Sequence, residues 1–220
     1  MAFSQLISLV GTATVQTVVM VFASTFFSLL LGLPLGILLC VTDPVGGITP
    51  KPVLNQILTR IVNVLRSFPF IILMILLFPL SRILIGTSIG TSATIVPLSI
   101  AAAPFVARVI ETALKEVDPG VVQAARAMGS TNMQIILKVL LPEAMPSLVA
   151  GITLTIINLI GYSAMAGAIG GGGLGDLAIR YGYQRFRTDV MIASVVVILL
   201  LVEIIQVVGT RISANLIEKR

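Results

Sequence analysis

No charged side chain occurs in the first 42 residues; the first is Asp43. A helix at the surface of a soluble protein needs a polar face, and a stretch of this length offers none. About 20 apolar residues span the roughly 30 Å hydrocarbon core of a bilayer, so the stretch is long enough to cross with length to spare. A cleavable secretory leader opens with a positive region and carries a shorter apolar run; neither fits. Composition agrees, with 57% hydrophobic and 10% charged residues, against about 25% charged in soluble domains. A soluble globular protein is excluded, and lipid is the solvent.

Five apolar runs follow this logic, at roughly 14–41, 57–80, 89–114, 147–169 and 190–210. They predict an all-α membrane protein with five transmembrane helices in a single domain, residues 1–220. Five crossings put the termini on opposite sides. With the N-terminus outside, ten of the 14 Lys and Arg fall on the inner side, and Arg82, Arg180, Arg185 and Arg187 on the outer. Basic residues accumulate on the cytoplasmic side, so the expectation is N-out, C-in. The net charge of +5 is then a topological signal, and no nucleic-acid partner is expected.

Residue inventory removes most catalytic chemistry. There is no histidine, and Cys40 is the one cysteine, so neither a metal site nor an internal disulfide is expected. Ser163 has no convincing base, and no catalytic residue is assigned. The phosphate-binding pattern G-x-x-x-x-G-K-[ST] is absent. Gly170–Gly175 fits G-x-G-x-x-G, but it follows a membrane helix, where a dinucleotide site follows a strand; a flexible turn is expected there.

The most informative stretch is 115–146, between the third and fourth spans. Asp118-Pro119 reads as an N-cap with proline at the first helical position. A short helix should run to Met128 and end at Gly129 in the left-handed conformation. Thr131-x-x-Gln134 fits a capping box, restarting a helix that stops before Pro142; Pro146 opens the next span. Ala124 and Ala125 give a flat patch, with Val121, Val122 and Met128 around it. Two uses fit equally: docking on a partner, or lying on the bilayer surface.

Gln123-Ala124-Ala125-x-x-x-Gly129, followed after nine residues by Val139-Leu140-Leu141-Pro142, resembles the "EAA" loop of permease subunits of bacterial ATP-binding-cassette importers. Gln123 stands where the family usually has Glu. Arg66-Ser67-Phe68-Pro69-Phe70 resembles a segment of the amino-acid branch. Ala101–Phe105, and Gly161–Met165 followed by Gly170–Gly175, resemble the methionine importers, which also have five spans. The resemblance covers about residues 12–211. It implies the type I importer permease fold in a bacterial inner membrane. It also implies a homodimer, two separate ATPase subunits that bind ATP and magnesium, and an extracytoplasmic solute-binding lipoprotein. This chain would be a transport subunit, not an enzyme, with no cofactor of its own. Its ATPase-coupling residues would be Asp118, Pro119, Gln123, Ala124, Ala125, Met128, Gly129, Leu141 and Pro142. Methionine is the implied solute, with another small amino acid or a methionine analogue as the alternative.

Three features carry competing readings. Ser28, Gly32 and Gly36 form a small-residue stripe that suits packing within the chain or a dimer seam. Tyr162, Ser163 and Met165 are candidates for the translocation path, with Met165 either a gate or an ordinary core residue. Glu203 lies inside the fifth span. An acid there marks an ion-coupled secondary transporter, or else snorkels or pairs with an arginine.

Overall fold

A computed structural model describes residues 3–218. Those residues form helices and turns with no strand. In chain order they are α1 (Phe3–Val41), α2 (Pro52–Ser67), α3 (Phe70–Ile85), α4 (Thr91–Lys115), α5 (Pro119–Ala127), α6 (Asn132–Ile135), α7 (Leu141–Ala168), α8 (Gly173–Leu177) and α9 (Thr188–Glu218). Wider π turns fill Ile136–Leu140 and Ala178–Tyr183. Four stretches are long and apolar enough to cross a membrane, Ser4–Val41, Thr91–Lys115, Asn132–Ala168 and Thr188–Glu218; a bent pair, α2 with α3, makes up to five. At 1.5 Å per residue α1 is ~58 Å long, nearly twice the hydrocarbon core.

The second expected span is not one helix. It breaks between Ser67 and Phe70, and α2 and α3 meet at 103°. Pro69 supplies no N–H, and its ring drives Phe68 out of helical geometry. Pro69 instead caps α3 in extended conformation, its carbonyl accepting from Ile72 and Leu73 at 3.0 and 3.1 Å. Pro97 and Pro104, by contrast, ride within an unbroken α4.

A second correction concerns residues 131–146. The helix starting at Asn132 does not stop before Pro142; α6, the π turn and α7 run on as one stretch to Ala168. The π turn is the reason. Leu141 donates to Ile136, five residues back, and this widened turn falls just ahead of Pro142, which has no N–H to give. The strain of the proline is taken up locally and the helix survives. The fourth span therefore begins inside the expected loop.

The chain packs as two compact units. The first comprises residues 3–28, 68–102 and 155–206. Its core joins Met20, Val21, Leu98, Ala102, Leu159 and Ile160. The second comprises 29–67, 103–154 and 207–218. Its largest core joins Val106, Ile110, Leu114, Ala125, Ile135, Leu140 and Leu148. Gly32 and Gly36 belong here: a Cβ at either would lie within 3 Å of the α4 backbone at Ala103 or Ala107. Of the two uses open to the small-residue stripe, these glycines serve packing within the chain.

Candidate functional site

In the second unit, residues 118–141 form a capped elbow. Asp118 accepts from the Gly120 N–H at 2.7 Å, and Pro119 occupies the first turn of α5. At the other end Gly129 has φ +80. Its N–H donates to Arg126 at 2.9 Å, and that of Ser130 to Ala125 at 3.1 Å. These two bonds satisfy the last carbonyls of α5 in the Schellman pattern. Thr131 and Gln134 then close a reciprocal capping box: Thr131 N–H donates to Gln134 Oε1 at 2.8 Å, and Gln134 N–H to Thr131 Oγ1 at 3.3 Å. Both ends of α5 and the start of α6 are thus held by local hydrogen bonds.

The two faces of the elbow differ. Ala125 is 3% exposed and packs into the unit's core. This corrects the expectation of an outward Ala124–Ala125 patch: α5 needs a small residue there to approach its own body. Ala124 and Gln123 are exposed, as are Asp118, Pro119 and Pro142. Leu141 is partly buried against the core. Met128 is 80% exposed, and Val121, Met133 and Leu137 are exposed beside it in sequence. Exposed apolar side chains grouped in this way mark contact with a partner or with lipid.

What braces the elbow lies outside the motif. Arg126 sits in the last turn of α5. Its guanidinium donates at 2.6 Å to the carbonyl of Ile48, and Asn132 Nδ2 donates to Thr49 Oγ1 at 3.1 Å. The segment 42–51 that receives them is itself tied back to the end of α1. Thr49 N–H donates to Val41 O, and Lys51 N–H to Thr42 O, both at 3.0 Å. Gly47 makes this turn because a Cβ would meet the Asp43 carbonyl at 2.4 Å. The run Asp43-Pro44-Val45-Gly46-Gly47 signals the turn, but not the distant residues that fasten to it.

An ionic chain adjoins the brace. Lys115 Nζ bonds both Asp43 and Glu111, the latter at 2.8 Å, and Arg108 bonds Glu111 at 2.6 Å and Asn63 at 2.8 Å. The Glu111 side chain is only 5% exposed, and two cations offset its desolvation. Burial pushes the Asp43 carboxyl up, but the Lys115 ammonium and the Val45 N–H outweigh it and hold the group below the usual carboxylate range.

The candidate path residues lie in the first unit. Tyr162 stacks on Phe70, centroids 4.0 Å apart and planes at 10°. Ser163 is buried and donates to Ile160 O at 2.7 Å within its own helix, so its hydroxyl is engaged locally. Met165 is 48% exposed. Gly170–Gly175, expected to be a flexible turn, is a tied one. Gly173 N–H donates to Gln16 Oε1 and Leu174 N–H to Thr17 Oγ1, both at 2.9 Å. A Cβ on Gly175 would lie 2.4 Å from the Ala164 backbone. Glu203 is exposed on α9 and makes no salt bridge among the described residues.

Several apolar spans, one broken at a proline, and a braced elbow with an uncovered apolar face define a multi-pass membrane permease. Residues 32–220 match the family of binding-protein-dependent transport system inner membrane components, and the chain belongs to that family. It is 50% identical over 198 residues to the probable D-methionine transport system permease protein MetI of Vibrio cholerae, covering 90% of this chain and 88% of the relative. It is 49% identical over 175 residues to the methionine import system permease protein MetP of Bacillus subtilis, covering 80% and 78%. Among solved structures, the native crystal form of the inward-facing MetNI methionine ABC transporter superposes with a TM-score of 0.94. That match is at 47% identity over 98% of this chain and 99% of the other. The family places the chain in the bacterial inner membrane.

Proposed function

We propose that this chain is the permease subunit of an ATP-driven methionine importer. The observation that carries the reading is the near-complete likeness to the permease of an inward-facing methionine transporter, at 47% identity. That likeness extends across the elbow at 118–141. Two copies of the chain would form the path, in a single permease domain each, N-terminus outside and C-terminus inside. Two ATPase subunits would bind ATP and magnesium, and a solute-binding lipoprotein would deliver methionine from outside. The chain itself would supply no cofactor and no hydrolysis.

The coupling step follows from the elbow's construction. Gln123, Ala124 and Met128 present the surface on which an ATPase subunit docks. Asp118, Pro119 and Gly129 fix the ends of α5. Ala125 seats it on the body, while Leu141 and Pro142 carry motion onward into α7. A ligand shifts a conformational equilibrium only by its difference in affinity for the two states. Closure of the ATPase pair therefore acts on the permease only to the extent that the elbow moves as a rigid piece. The braces at Arg126 and Asn132 supply that stiffness.

The test is uptake of labelled methionine into proteoliposomes holding this chain, its ATPase and its binding protein. ATP-dependent uptake, competed by unlabelled methionine and not by unrelated amino acids, is expected. Uptake driven by an ion gradient without the ATPase would overturn the reading.

A further inference from the structure

A cavity of about 330 Å³ opens in the second unit between α2, α4 and α7. Arg66, in the last turn of α2, lines one end of it, and its guanidinium stands 5.9 Å from the centroid of the Phe105 ring. Phe105 belongs to the Thr91–Lys115 stretch, which is long and apolar enough to cross a membrane. At 1.5 Å per residue it lies ~21 Å from Thr91 and ~15 Å from Lys115, well inside the hydrocarbon. Arg66 makes no salt bridge among the described residues. Arg108, one turn along α4 from Phe105, is committed to Glu111 and Asn63. Glu116, at the other end of the cavity, accepts the Ser147 hydroxyl at 2.6 Å. It lies ~16 Å along α4 from Phe105, too far to share a small ligand with Arg66.

Two independent features call for water at this depth. A charge inside a span faces a water-filled cavity or an opposite charge, and among the described residues Arg66 has no opposite charge. Backbone that leaves helical geometry in the hydrocarbon is tolerated only where protein buries it or where it lines a water-filled cavity. Here α2 ends at Ser67, next to Arg66, and Ser67 and Phe68 are exposed. The negative end of the α2 dipole suits a cation but supplies no acceptor for the N–H fork. An anion is the missing partner. The planar fork matches a carboxylate through two parallel hydrogen bonds. A phosphate dianion would bring two charges to one uncommitted cation. Beyond the guanidinium the wall is apolar, with Phe105, Val109 and Leu154, and takes an uncharged side chain. At about 30 Å³ per water the space equals roughly eleven waters, room for a small amino acid whose ammonium group stays hydrated.

We propose that Arg66 is a specificity-determining residue of the transport path. It holds the carboxylate of the passing solute, whose side chain lies along Phe105, Val109 and Leu154. The carboxylate is read at this point and the ammonium group is not. The solute class rests on the function proposed above; which of its groups is recognised, and where, is new to it. A lipid phosphate offers the guanidinium similar chemistry, and the experiment separates the two.

Ala150 is exposed on the cavity wall and offers a local reporter. Ala150→Cys is reacted with a charged, membrane-impermeant methanethiosulfonate, present on both sides, in the complex of permease and ATPase. Nucleotide and binding protein are left out, and the reaction is run in liposomes and in phospholipid-free maltoside micelles. The native Cys40 is buried, and permease without the added cysteine gives the background. Labelling above background is expected in both media. Methionine, and its analogue lacking the ammonium group, should slow it; methioninol, which lacks the carboxylate, should not. Arg66→Gln should raise the half-protecting concentration of both acids roughly tenfold to a hundredfold, the range of one charge-assisted hydrogen bond. Arg66→Lys, which keeps the charge without the fork, should fall between, and Glu116→Gln should match the parent. Absence of protection by any neutral amino acid, equal protection by methioninol, or protection unchanged in Arg66→Gln would each overturn the assignment. Labelling blocked in liposomes and released in micelles would overturn it in favour of a lipid phosphate. Protection by a neutral amino acid other than methionine, weakened in Arg66→Gln, supports the role of Arg66 while removing methionine from the proposed function.

Discussion

Replacing Gly129 isolates the elbow's geometry from its surface. At φ +80 an ordinary side chain is strained, yet nothing lies within 4 Å of a Cβ built there. Gly129→Ala therefore introduces backbone strain without a clash, worth about 1–2 kcal/mol for a left-handed residue. That shifts the balance between closed and frayed elbow by roughly 5- to 30-fold. The consequence is specific: the bonds from Gly129 and Ser130 to the last carbonyls of α5 loosen, and with them the approach to the Thr131 capping box. Asn visits the left-handed region more readily than Ala, so Gly129→Asn should fall between. Hydrogen exchange at amides 128–135 is the assay, with the ratio of methionine imported to ATP hydrolysed measured alongside. Exchange should rank Ala fastest, then Asn, then wild type, and the ratio should fall in the same order. Identical exchange in all three would show that the left-handed turn is not what holds the elbow.

Gly209→Val should lower the melting temperature in detergent, because a Cβ there would lie 2.1 Å from Thr153 Oγ1 and overpacking costs about 1–3 kcal/mol; Gly11→Ala, with open space around it, should not. The Asp43 carboxyl titrates below its ordinary value, so its ion pair with Lys115 stabilises the fold above the unfolded value near 3.9. That contribution is lost as pH falls further, and melting temperatures taken from pH 7 to pH 3 should drop less steeply in Asp43→Asn than in wild type. Met165→Ala should raise passive leak of methionine in assembled, ATP-free proteoliposomes if the half-exposed methionine is a gate. An unchanged leak would return it to an ordinary structural role.

What could be read from the sequence was whatever local chemistry decides. Caps depend on a few adjacent residues, so Asp118-Pro119, Gly129 and the Thr131–Gln134 box are visible as letters. Charge-free length is equally local and gave the long helices. The misses all depend on distant partners or competing strains. Pro69 and Pro142 are both prolines in apolar runs, yet one breaks a span and the other is absorbed by a π turn. Which happens depends on the surrounding helix register, not on the dipeptide. Ala125 faces inward because Ile135, Leu140 and Leu148 fold back beneath it. The bond from Arg126 to Ile48 joins residues 78 positions apart. Among acids inside spans, Glu203 drew attention as a solitary letter, while Glu111 near the end of α4 is the one that the fold buries and pairs.

The placement of the strongest ionic chain bears on how motion would travel. Asp43, Lys115, Glu111 and Arg108 join the end of α1 to the last turns of α4, within three residues of where Asp118 begins the elbow. Removing one partner from a buried pair costs more than the pair contributes, since the other charge is left desolvated. Here both pairs of Glu111 lie within α4, and only the Lys115–Asp43 pair crosses between elements, tying the last turn of α4, just ahead of the elbow, to the end of α1. The elbow's other end is continuous helix into α7. Arg126 and Asn132 fasten its middle to the 42–51 segment. A force applied at Met128 has no cheap local hinge to dissipate into, and must displace α1, α4 and α7 together. A slack elbow would let a partner's closure be absorbed by fraying at Gly129; the caps and braces remove that outlet.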